Sequence, residues 1–205
     1  MAKKKDKGKA KKPKVMKHKA KTKKNIKKSF FEVSAPVTAT KIHLYASSAE
    51  ELENKTIKLD LTKNLRGKSL ELKLKIKKTD GILSAEPESL ELAISYLRRV
   101  MRKGTDYCED SFETQTTDFT ARVKPLLVTR KRVSRAVLKA IRENAKKHIE
   151  AYFKTRTALD LFQEIMTNKF QKQLSQKIKK IYPLALCEIR VFKLLKPIEK
   201  KAVEK

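Results

Sequence analysis

Residues 70–77 read LELKLKIK: Leu70, Leu72, Leu74 and Ile76 fall on one side, and Glu71, Lys73, Lys75 and Lys77 on the other. A period of two is the side-chain repeat of a β-strand, so the stretch predicts a sheet with one buried and one charged face. The same rhythm lies just upstream, where Ile57, Leu59 and Leu61 alternate with Lys58 and Asp60, and Asn64 to Gly67 supply a turn between the two. Downstream, Thr79-Asp80-Gly81 has the Asp-Gly chemistry of a tight hairpin. Earlier, SFFEVSAP (29–36) reads as a first strand, with Phe31, Val33 and Ala35 on one side, Phe30 and Glu32 on the other, and Pro36 as its stop. Residues 37–54 are poorly patterned.

From Glu88 the spacing changes to three and four, through Leu90, Ile94, Leu97 and Met101, predicting a helix that Gly104 closes. Glu86, Glu88 and Glu91 suit a helix start, and Arg98, Arg99, Arg102 and Lys103 suit the negative end of its dipole. Two strands are expected around 111–116 and 119–129, joined at Thr117-Asp118, with Pro125 placing the second at an edge or a bulge.

Residues 126–142, LLVTRKRVSRAVLKAIR, then hand a strand over to a helix predicted for 132–149. At 100° per residue, Arg132, Arg135, Lys139, Arg142 and Lys146 share an arc of roughly 80°, while Val133, Val137, Ala140 and Ile141 lie elsewhere. A short helix follows Thr157 (Leu161, Phe162, Ile165, Met166), and a third is expected around Leu174, Ile178 and Ile181. After Tyr182-Pro183, Cys187, Ile189 and Val191 alternate with Glu188, Arg190 and Phe192 in a closing strand. The fold class is α+β: a mostly antiparallel, curled or barrel-like sheet with an inserted helix and C-terminal helices, preceded by a disordered basic N-terminal extension.

The formal net charge is +29, from 52 Lys plus Arg against 23 Asp plus Glu. Residues 1–28 hold fifteen lysines and one acid, Asp6, giving +14, so the remaining 177 residues carry +15. The organisation expected is a lysine-rich extension (1–28) that an anionic polymer orders, one α+β domain (29–197) and a charged tail (198–205). No run approaches the eighteen or so apolar residues of a membrane span, and no secretory apolar core precedes the domain. Cys108 and Cys187 read as reduced cytoplasmic thiols.

Catalytic signatures are missing. With four glycines there is neither a Walker loop nor a GxGxxG turn, and no cofactor is expected. His18, His43 and His148 form no ligand pair, the cysteines are seventy-nine residues apart, and a zinc site is not indicated. His148 reads as a histidine at the edge of the core. Glu50, Glu51 and Glu53 read as a solvated cluster, and the chain is expected to have no enzymatic activity.

A flexible lysine arm plus basic helix faces is the electrostatic footprint of a nucleic-acid binder. The predicted contacts are Lys11, Lys12, Lys14, Lys17, Lys19, Lys21, Lys23, Lys24, Lys27 and Lys28 in the extension; Arg98, Arg99 and Arg102 in the inserted helix; and Arg130, Lys131, Arg132, Arg135, Lys139 and Arg142 after the long strand. Lys179, Lys180, Arg190 and Lys193 complete the set near the carboxyl end. Without an RNP1 motif, a zinc finger or any Trp, readout of backbone and shape is expected rather than base stacking.

KKSFFEVSAP (27–36), TQTTDFTARVKPLLVTRKRVSRAVLKAIR (114–142) and KKIYPLALCEIRVFKLLKP (179–197) resemble the archaeal and eukaryotic small-subunit ribosomal protein family eS-one, formerly S-three-a. Phe30, Arg130 to Arg132, Tyr182, Pro183, Arg190 and Lys193 fall at places matching that family's pattern. Asp118-Phe119 stands where members commonly have Asp-Gly, residues 37–55 are unlike the usual pattern, and the chain ends soon after Lys196, which resembles archaeal members in length. The resemblance implies a structural protein of cytoplasmic ribosomes, one copy per subunit and not a homo-oligomer. It would bind small-subunit rRNA on the platform near the messenger exit and the 3′ end of that RNA, beside neighbouring ribosomal proteins. The residues alone leave open a mobile RNA-binding or translation-associated factor.

Overall fold

Leu70, Leu72, Leu74 and Ile76 are fully buried, each with 0% exposure, while the lysines between them reach toward solvent. The computed structural model describes residues 27–65, 67–79 and 82–197. Within these the elements are β1 (Ser29–Ala35), β2 (Thr40–Ala46), α1 (Ala49–Leu52), β3 (Thr56–Asp60), β4 (Leu70–Thr79), β5 (Ile82–Leu92), α2 (Ile94–Val100), β6 (Tyr107–Glu109), β7 (Phe112–Gln115), β8 (Phe119–Thr129), α3 (Arg135–Phe153), α4 (Ala158–Met166), α5 (Lys169–Ile178) and β9 (Leu184–Pro197). The Asp80-Gly81 turn and the extension up to residue 26 lie outside the described residues.

The nine strands form one open, mostly antiparallel sheet. β3, β4 and β5 are consecutive neighbours. The far edge of β5 meets β1 in parallel near Ser84 and then β9 over Ser89 to Glu91. β9 runs beside the whole of β8, whose outer edge carries β7 and then β6. The helices α3, α4 and α5 close one face. There Phe153, Phe162, Phe170 and Phe192 form a ring cluster, with Phe192 edge-on to Phe162 at 4.8 Å and to Phe153 at 5.6 Å. Burying each ring contributes ~1.5–3 kcal/mol, and each edge-to-face pair adds ~0.5–1.5 kcal/mol.

Several expectations are corrected. Glu88 to Leu92 is strand, not helix: Leu90 and Leu92 pair with Leu72 and Leu70, and the apolar face continued from β4 outweighs a spacing that also suits a helix. Glu86 and Glu91 therefore stand on the sheet, ion-paired with Lys77 and Lys73. The inserted helix shrinks to one of 7 residues, and Gly104, with φ +86°, turns the chain beyond it instead of capping it. The helix expected at 132–149 runs from Arg135 to Phe153, because the Ser134 hydroxyl caps it by accepting from the Val137 N–H. Ile181 lies past the end of α5.

Residues 37–54, poorly patterned in sequence, form β2 and α1. Ile42, Leu44 and Ala46 face inward along β2, and Ser48 caps α1. Glu51 is more than solvated, since the Ser47 hydroxyl and Lys55 both hydrogen-bond its carboxylate and draw its pKa down to about 2. The short strand β6 has no counterpart among the expected elements. Pro125 sits inside a central strand, where the β8–β9 register shifts and where the outer edge passes from β7 to β6, so its missing N–H breaks no ladder bond there.

The closing strand alternates only as far as Ile189. Pro125 pairs with Ile189 and Lys124 with Val191, so Arg190 bulges out, and the phase flips to bury Phe192 at 0% exposure in place of Val191. Cys108 and Cys187 are buried free thiols on either side of β8, both level with Leu127. Two strand spacings, about 9.5 Å, exceed the reach of a disulfide. Burial pushes the Cys187 thiol up to about 12, which makes it inert near neutral pH.

Candidate nucleic-acid interface

The exit from β8 is held rigidly. Thr129 Oγ1 accepts from the Asp106 N–H at 3.1 Å and lies 2.8 Å from the carbonyls of Asp106 and Lys131. Asp106 Oδ2 accepts from the Val133 N–H at 2.9 Å. The bend between these anchors exposes Arg130, Lys131 and Arg132. Their cations are thus fixed at the backbone although their side chains are free, a form of preorganisation suited to a polyanion.

The same bend faces the end of α2. Arg99, Arg102, Lys103 and Arg130 line a groove of about 570 Å³ floored by Val100, Val128, Ala185 and Leu186, and among the described residues none of its lining is acidic. Arg99 also donates to the Gly67 carbonyl, which ties α2 to the loop between β3 and β4. Arg98 is exposed in the last turn of α2 outside the groove.

Arg135 opens α3, and the first turn of that helix contains no acid, whereas α1 and α4 carry acids there. Cations at the positive end of a helix dipole destabilise the fold by up to about 1 kcal/mol each, and the same dipole attracts phosphate. The charge around 130–135 is therefore placed against the needs of folding and in favour of an anion.

The remaining predicted residues divide. Arg132 precedes α3 and so does not share its face. Lys139 is exposed, 3.9 Å from Glu143. Arg142 lies within hydrogen-bonding reach of the Cys108 side chain, and Lys146 sits 5.6 Å from the Phe112 ring centroid, so this part of the stripe leans over the β6–β7 edge. Lys179 and Lys180 are exposed after α5, where a helix carboxyl end welcomes them, and Lys193 is exposed on β9. Arg190 is engaged by Glu109. Lys27 and Lys28 are exposed before β1, while Lys11, Lys12, Lys14, Lys17, Lys19, Lys21, Lys23 and Lys24 lie outside the described residues.

Sequence reasoning missed Asp106 and Thr129 as holders of the bend, since a 23-residue separation gives no local signal. Lys103, expected only to serve the helix dipole, is a groove residue. Among the described residues no three or more His, Cys, Asp or Glu side chains gather to hold a metal ion, and no helix is long and apolar enough to cross a membrane.

The model of the Ribosomal S3Ae family matches residues 16–197, which takes in every element of the fold. The chain belongs to that family. Among its relatives, the small ribosomal subunit protein eS1 of Nanoarchaeum equitans is 29% identical over 182 residues, covering 85% of this chain and 91% of that protein. The protein of the same name from Pyrobaculum aerophilum is 31% identical over 191 residues, covering 87% and 85%. The one from Desulfurococcus amylolyticus is 29% identical over 188 residues, covering 87% and 88%. The matched region spans the groove and the α3 entrance of this S3Ae-family chain.

Proposed function

We propose that this chain, a small-subunit ribosomal protein by family, is a non-enzymatic structural constituent of that subunit and grips its rRNA by the sugar-phosphate backbone. The placement expected from the family resemblance is the platform, near the messenger exit and the 3′ end of the RNA. The observation that carries the reading is the acid-free groove of Arg99, Arg102, Lys103 and Arg130 beside the cation-rich amino end of α3. Guanidinium groups fork onto phosphate oxygens, and each neutralised phosphate releases counterions. Lys27, Lys28 and the lysines before them extend the grip along the RNA.

Arg102→Ala/Arg130→Ala in the full chain tests this against a platform rRNA fragment over a salt series. The log–log salt slope should fall by about 0.9 for each phosphate that is no longer neutralised, with an unchanged far-UV spectrum and weaker incorporation into small subunits. An unaltered slope together with full incorporation would overturn the reading.

A further inference from the structure

The outer face of the β1–β2 hairpin carries two aromatic rings that the core does not use. Phe30 is 73% and Tyr45 is 59% exposed, and the two are cross-strand partners with centroids 5.0 Å apart and planes tilted by 47°. Large rings left in water on neighbouring strands contribute little to the fold. Lys28 brings its ammonium to 5.7 Å from the Tyr45 centroid, and Lys27 precedes it at the exposed entrance of β1. Glu32, the one acid on this face among the described residues, is neutralised by Lys41 at 2.8 Å, and the exposed His43 lies opposite it. Among the described residues β2 pairs with β1 alone, and no other described strand flanks the pair on its outer side.

We propose that Phe30 and Tyr45 form a stacking platform for unpaired nucleotides of an RNA strand that Lys27 and Lys28 guide by its phosphates. This rests on the RNA-binding reading above and adds base stacking to the readout of backbone and shape expected from the sequence. Strand-borne aromatics flanked by cations are how sheets bind single strands, because every base has a π face and stacking needs no sequence. The exposed cation–π interaction of Lys28 is weak, so its ammonium can move from ring to phosphate when a base arrives. The positive charge around the rings disfavours a purely apolar partner, and the exposed π faces beside it suit bases rather than an acidic protein rim.

The test uses the full chain with a short oligouridylate and an abasic strand of the same length, which keeps the phosphates and removes the bases. Wild type should bind the oligouridylate roughly 5- to 150-fold more tightly, the range set by stacking one base. Phe30→Ala/Tyr45→Ala should abolish the difference while keeping abasic affinity and salt slope. A fluorescent base analogue in the strand should lose emission on binding wild type and keep it with the variant, and Phe30→Tyr should retain the preference. Equal wild-type affinity for the two strands would overturn the platform and leave the phosphate reading standing. Failure to bind even the abasic strand would overturn the phosphate reading as well. Should Phe30→Ala/Tyr45→Ala keep the base preference yet drop out of assembled subunits, the pair docks a neighbouring protein and the proposal is wrong.

Discussion

Glu188→Leu should destabilise the protein by about 3–5 kcal/mol, far more than its place on a strand suggests. Lys68 Nζ lies 2.5 Å from Glu188 Oε2 and 2.7 Å from Asn168 Oδ1, and the two charged side chains are 8% and 9% exposed. At an effective dielectric of ~20, attraction at this separation is about 7 kcal/mol, and the desolvation of each ion offsets it by several kcal/mol. The intact pair thus comes out near neutral. Without Glu188 the ammonium keeps its desolvation cost, and the single Asn168 carbonyl cannot neutralise it. For a chain of this size the midpoint of thermal unfolding should fall by roughly 6–20 °C. Lys68→Met/Glu188→Leu should recover most of the loss, because an apolar pair of similar volume needs no compensation. Urea unfolding followed by circular dichroism, run as a double-mutant cycle, measures both. The reasoning is refuted if the double variant is as unstable as Glu188→Leu alone, or if Glu188→Leu costs under about 1 kcal/mol. The effect should reach the proposed RNA surface too: Lys68 follows Gly67, whose carbonyl accepts from Arg99, so loosening this loop removes one anchor of the groove.

Other outcomes are as specific. Phe192→Ala should cost about 3–5 kcal/mol in urea unfolding, since it empties the centre of the ring cluster. Burial, and then the charge of Lys177, hold the His148 imidazole below its usual pKa of 6.5. The unfolded chain therefore takes up a proton first, so stability is complete above about pH 6.5 and declines as pH falls below it. His148→Gln should flatten that decline in urea titrations run across pH. Asp106→Ala raises the net positive charge by one, so electrostatics alone predicts tighter RNA binding. Loss of the anchor at the Val133 N–H predicts weaker binding, and filter binding at fixed salt should show the weakening.

The sheet was legible wherever one face is buried and the other wet, as in β1, β3 and β4, because the side-chain period then reports the backbone. It was misread where the register slips. β5 alternates through Leu83, Ala85 and Pro87, but Glu88 bulges out of the β4 ladder and the buried set changes phase to Leu90 and Leu92, so no single period of two runs along the strand. The bulge at Arg190 exchanged the roles of Val191 and Phe192, which a strict period of two cannot show. At the interface, the basic cluster was plain in the sequence, but its partition was not. Sequence separations of 81 from Glu109 to Arg190 and of 120 from Lys68 to Glu188 hide which cations the fold has neutralised.

That partition gives the charge its meaning. Lys68, Lys73, Lys77, Arg122 and Arg190 each have a carboxylate partner, so removing one subtracts an internal interaction. Arg102, Lys103, Arg130, Lys131, Arg132 and Arg135 have no acid within 4 Å among the described residues, and Arg135 faces the unfavourable end of a helix dipole. Alanine at the first group should lower stability and barely alter RNA binding, except at Lys68, whose loop also anchors Arg99 of the groove. At the second it should weaken binding and leave stability unchanged or raised. A protein that used its net charge only for solubility would show no such split, because exposed lysines and arginines would then be interchangeable wherever they stand. The inverse relation across the two sets, measured by paired unfolding and salt-dependent binding, separates cations that build the fold from cations held out to RNA.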